Sequence, residues 1–97
     1  MSINGFHTKE SKGYARLCHN AKARRRNCLR TMAKLREELV SYQREQANAQ
    51  HEHRRKIIAN RISELKELEI IPRNKKLTLI NREIRYYEEL INQFKYR

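Results

Sequence analysis

Residues 14–42 read YARLCHNAKARRRNCLRTMAKLREELVSY, and this stretch decides the fold. Positions 14, 18, 21, 25, 28, 32, 35, 39 and 42 follow an unbroken alternation of steps of four and three, and they hold Tyr14, Cys18, Ala21, Arg25, Cys28, Met32, Leu35, Leu39 and Tyr42. A helix turns once every 3.6 residues, so this spacing lays one stripe along a single helix face and directs it at a neighbour. Nothing nearby interrupts a helix, because neither Gly nor Pro occurs from Tyr14 to Ile71.

Carried outward, the stripe reaches Gln46, Ala49 and His53 and fades into the polar stretch from Gln43 to Lys56. A second stripe starts at Ile58 and runs through Ile62, Leu65 and Leu68, one position out of register with the first at Ile58. The helix therefore either breaks near 48–53 or continues with another face inward. Beyond Leu68 comes Glu69-Ile70-Ile71-Pro72-Arg73-Asn74. Pro72 disfavours helical geometry at Ile71, and Asn74 suits a helix N-cap, so a sharp turn is expected here. Leu77, Ile80, Ile84, Tyr87, Ile91 and Phe94 form a third stripe, whose natural partner is the second. The expected architecture is all-α: a long N-terminal helix plus an antiparallel helical hairpin closed at Pro72, with helices near 14–50, 54–69 and 75–95. Residues 1–13 contain both glycines, Gly5 and Gly13, and read as a flexible arm that orders on binding, which leaves 14–97 as one helical domain.

A chain of 97 residues fits one domain and buries a modest fraction of its surface, so no roomy substrate pocket is expected. Lys and Arg number 23 against 11 Asp and Glu, a net charge of +12 that draws the chain to an acidic partner. The excess lies at the ends: residues 1–40 carry ten bases and three acids, 41–70 six and five, 71–97 seven and three. Cys18 and Cys28 are separated by ten residues of expected helix, about 15 Å, too far for a disulfide within it. Reduced thiols and a cytoplasmic setting follow. No apolar run approaches the roughly 20 residues of a membrane span.

Cys18, His19, Cys28, His51 and His53 lack the close Cys pair or the i, i+4 His pair of a zinc site, so no metal or other cofactor is expected. A Gly-rich phosphate loop and a Ser flanked by glycines are also missing from the chain. Glu37 and Glu38, like Glu88 and Glu89, are adjacent rather than stacked, as on solvated helix faces. The expectation is a binding protein and not an enzyme. Its most distinctive feature is the run Lys22, Arg24, Arg25, Arg26 and Arg30, in which Arg25 occupies the apolar stripe. An unpaired charge is costly to bury there. Arg24, Arg25, Arg26 and Arg30 are therefore one candidate partner-binding group, since the planar guanidinium pairs bidentately with carboxylates. Ile71, Pro72 and Arg73 are a second, as an exposed apolar tip that a partner grips or a prolyl isomerase binds. The alternative is a direct DNA- or RNA-binding protein that places the same arginines on phosphates. A basic-leucine-zipper reading fails, because Asn20 and Ala23 are followed by Arg24 where that family has a second Ala.

The length, the opening Met1-Ser2-Ile3-Asn4-Gly5-Phe6-His7, the run Arg24-Arg25-Arg26-Asn27-Cys28 and the lone Pro72 together resemble the small anti-RecBCD proteins of lambdoid phages. The resemblance covers the whole chain rather than one diagnostic motif. It implies a phage protein that acts in the cytoplasm of the bacterial host. There it would bind the RecBCD helicase-nuclease on its RecC subunit and alter the response to Chi sites and the loading of RecA, so that phage recombination takes over the DNA ends. It carries no active-site residues with it.

Overall fold

The computed structural model describes residues 9–95, with side chains described for 12–94. All of 9–95 is helical except 49–51, and no strand occurs among the described residues. Helix α1 runs Lys9–Asn48 and α2 runs Glu52–Glu64. A π-helix, Leu65–Ile70, leads directly into α3, Ile71–Lys95. There are thus two helical runs, a long one and one of similar length after the 49–51 break. The expected arm is shorter than 13 residues: Lys9–Gly13 are helical, and residues 1–8 lie outside the described residues. Gly13 alone opposes helix in that segment, and one glycine costs a helix only about 1 kcal/mol.

The chain divides into two compact units, Met1–Asn27 with Leu77–Arg97, and Cys28–Lys76. In the first, Cys18 and Ala21 of α1 are buried with Ile80 and Ile84 of α3, and Tyr87 and Ile91 pack against them. The Tyr14 and Phe94 rings lie 5.8 Å apart, inclined at 32°. Lys22 and Arg24 are two residues apart, hence on opposite flanks of the stripe. Lys22 pairs with Glu88 at 3.7 Å and Arg24 with Glu83 at 2.8 Å. Partners descend along α3 as they ascend along α1, so the two segments are antiparallel.

In the second unit, the buried residues are Cys28 and Met32 of α1 and Ile58, Ile62 and Leu65 beyond the 49–51 break, and Met32 is only 1% exposed. Leu35, Leu39 and Tyr42 continue the stripe as half-buried residues. The reversal at 49–51 has neither Gly nor Pro and is held by side chains. Arg55 donates through Nε to the Ala49 carbonyl at 2.6 Å, satisfying a carbonyl just beyond the end of α1, and Arg54 pairs with Glu45 at 2.7 Å. Glu52 in the first turn of α2 complements the helix dipole.

Pro72 closes no hairpin, contrary to the sequence expectation. It is the second residue of α3, after a trans Ile71–Pro72 peptide, and the helical run passes through it. The second stripe belongs to the second unit and the third to the first, where it packs on α1. Proline lacks an N–H and its ring collides with the carbonyl four residues back in an α-helix. Here the preceding turn is wider: the Ile71 amide reaches five residues back to the Lys66 carbonyl. Arg73 donates through Nη1 to the Glu69 carbonyl at 3.3 Å and pairs with the Glu69 carboxylate. The Cys28 thiol donates to the Arg73 carbonyl at 3.6 Å.

The π-helix also resolves a conflict of phase. Extended in steps of four and three, Ile58, Ile62 and Leu65 lead to Glu69, Pro72, Lys76, Leu79, Glu83 and Tyr86. The inward residues of α3 are instead Leu77, Ile80, Ile84 and Tyr87, each one later, while Leu79 and Tyr86 are 61% and 58% exposed. A π-turn holds one residue more than an α-turn and absorbs this offset.

Candidate partner-binding surfaces

Arg24 and Arg25 face α3. The Arg24 guanidinium donates to Glu83, which also hydrogen-bonds the Tyr87 hydroxyl, and the bond from Arg24 is the main reason the Glu83 carboxyl titrates below its ordinary value. The same bond raises Arg24. Desolvation, followed by the Glu83 charge, pushes the Tyr87 hydroxyl up. Arg25 stays half-buried in the apolar stripe and reaches out with Nη1 to Asn81 Oδ1 at 3.4 Å. Its place in the stripe is thereby explained without a partner protein. Arg26 and Arg30 are exposed and form no ion pair among the described residues, Arg26 in the first unit and Arg30 in the second. The arginine run is therefore split between two that hold α1 on α3 and two that point to solvent.

Ile71 and Pro72 are exposed, whereas Arg73 is half-buried and folds back over the π-helix. Leu68, which the stripe assigned to the core, is 69% exposed. Glu69 and Ile70 are half-buried in its stead, a consequence of the wider π-turn. Leu68, Ile71, Pro72 and Lys75 follow at steps of three, one and three and make an apolar surface with a basic edge in the second unit. Leu68 also lines a groove of about 310 Å³ together with Leu35, Leu65, Glu38, Glu64 and Glu69. Arg61 also lines this groove, hydrogen-bonded to the Tyr42 hydroxyl at 3.4 Å and paired with Glu64, and the Tyr42 bond is the main cause of its raised pKa. The sequence signal for Leu68 is the one extra residue between Leu65 and Leu77, which an intact helix accommodates only by bulging.

Cys18 and Cys28 are free and buried, and no three His, Cys, Asp or Glu side chains group as a metal-binding set among the described residues. No described helix is long and apolar enough to cross a membrane. No family model, curated protein or solved structure matches the chain.

Proposed function

We propose that this protein is a phage-encoded modulator that binds the host RecBCD helicase-nuclease in the bacterial cytoplasm, on the RecC subunit. Binding alters the Chi response and RecA loading in favour of phage recombination. The protein acts by docking and performs no chemistry itself. The observation that carries the reading is the exposed Leu68, Ile71 and Pro72 patch. Contiguous apolar surface beside polar residues is the mark of a protein interface, where a few buried anchors supply most of the affinity. The basic edge at Lys75, with the exposed Arg30 of the same unit, suits an acidic partner surface. The sequence resemblance points to RecBCD as that partner. A prolyl isomerase at Pro72 is a further partner in this reading, and its binding requires local opening of the helix around that residue.

The test uses purified RecBCD and Chi-containing linear duplex. Addition of the protein is expected to suppress Chi-dependent fragments, and Leu68→Ser with Ile71→Asn is expected to weaken binding at least tenfold, about 1.4 kcal/mol. Chi-dependent cutting that is unchanged at saturating protein refutes the proposal. Pro72→Ala isolates the proline, since unchanged binding removes it from the interface.

A further inference from the structure

We propose that the solvent face of α1 in the first unit is a second contact surface, one that binds the phosphate backbone of duplex DNA. Residues 11–36 contain nine bases, Lys12, Arg16, Lys22, Arg24, Arg25, Arg26, Arg30, Lys34 and Arg36, and not one acid. All 26 positions lie within α1. Lys22, Arg24 and Arg25 are engaged with Glu88, Glu83 and Asn81. Lys12, Arg16 and Arg26 are exposed and make no ion pair among the described residues.

Their placement is regular. Lys12, Arg16, His19, Ala23 and Arg26 follow steps of four, three, four and three, the same period as the buried Tyr14, Cys18, Ala21 and Arg25 stripe, but on the opposite side of the helix. The result is a cationic line about 21 Å long, at 1.5 Å per residue. It has no large apolar residue and no carboxylate.

That composition separates phosphate from protein as the ligand. Protein interfaces place an apolar, desolvated centre inside a polar rim. The Leu68 patch has such a centre and this face does not. A line whose only charges are cations matches the sequence-independent part of DNA binding, in which each neutralised phosphate releases condensed counterions. Arg16 and Arg26 bring planar guanidinium groups that fit phosphate oxygens, and Lys12 adds a point charge. The inference does not rest on the RecBCD reading, because the contact requires only this chain and a duplex.

The experiment is a fluorescence-anisotropy titration of the full chain onto two labelled duplexes of unrelated sequence, repeated from 50 to 200 mM salt. The wild type is compared with the triple variant Lys12→Gln, Arg16→Gln, Arg26→Gln. Three lost phosphate contacts are expected to make the log–log salt slope shallower by about 2.7, so that the wild type loses roughly 40-fold more affinity than the variant over this range. Both duplexes are expected to respond alike, and Leu68→Ser is expected to leave duplex affinity unchanged. Circular dichroism checks that the triple variant remains helical, as its substitutions are all exposed. Equal slopes for wild type and triple variant overturn the proposal. So does polyglutamate of matched charge competing as well as unlabelled duplex, which assigns the face to acidic protein. Neither result decides the RecBCD reading, which rests on the Leu68, Ile71 and Pro72 patch and is read by the Leu68→Ser with Ile71→Asn variant.

Discussion

Deletion of Leu68 is expected to leave the protein folded, while deletion of Arg82, another exposed residue in the same helical run, is expected to unfold most of it. Removing any residue from a helix rotates everything beyond it by about 100°. Within 65–70 that rotation cancels the extra residue of the π-turn. In the shortened helix the steps from Leu65 through Glu69, Arg73 and Leu77 become three, four and four, and Ile80 and Ile84 fall in phase with Ile58 and Ile62. Leu68 is 69% exposed, so little burial is lost with it. The net change is expected to stay within about 1 kcal/mol, typical of surface positions. Arg82 lies between Ile80 and Ile84, where no irregularity exists to absorb a deletion. Ile84 and Phe94, 2% and 8% exposed, then turn away from α1. At about 1.5–3 kcal/mol for each buried side chain, these two alone cost roughly 3–6 kcal/mol. Small domains have about 5–15 kcal/mol in all. Urea unfolding followed by far-ultraviolet circular dichroism compares the two deletions directly. Equal destabilisation by both refutes the role assigned to the π-helix.

Three further outcomes follow from the packing. Gly13→Ala is expected to stabilise α1 by about 0.5–1 kcal/mol, because the added methyl meets nothing within 4 Å and glycine is the poorer helix former, and thermal unfolding measures it. Met32→Ala is expected to cost about 2–5 kcal/mol in urea unfolding, since Met32 is the largest fully buried side chain described. Glu83 gives a pH dependence of defined sign. Its folded carboxyl titrates below the ordinary value, so the Arg24 contact stabilises fully above about pH 4.3 and fades as pH falls through the folded value. The gap in urea midpoint between wild type and Glu83→Gln is expected to narrow from neutral pH to about pH 2. A constant gap removes the ionic contribution.

The stripe from Tyr14 to Tyr42 was legible because its period never changes, and each of its nine positions is buried or half-buried. Arg25 keeps that period while its guanidinium reaches out of the stripe to the Asn81 amide oxygen. The break at 49–51 was legible as the fading of the stripe, although the Arg55 contact that holds it spans six residues and leaves no local motif. Pro72 misleads because a proline inside an α-helix breaks or kinks it by colliding with the carbonyl four residues back. That argument loses its force once the preceding turn is π, and nothing local announces a π-turn. Only the offset between two distant stripes does.

The same offset bears on function. An uninterrupted α-helix with Leu68 removed satisfies both buried stripes and exposes less apolar surface, so packing alone gives no reason for the extra residue. What the extra residue does is bring Leu68 to the surface beside Ile71 and Pro72. Departures from regular structure that packing does not require concentrate where a protein meets its ligand, and π-turns recur at such places. Deletion of Leu68 therefore separates the two demands. It is expected to preserve the fold and weaken docking, and a deletion protein that binds RecBCD as tightly as the wild type places the docking surface elsewhere.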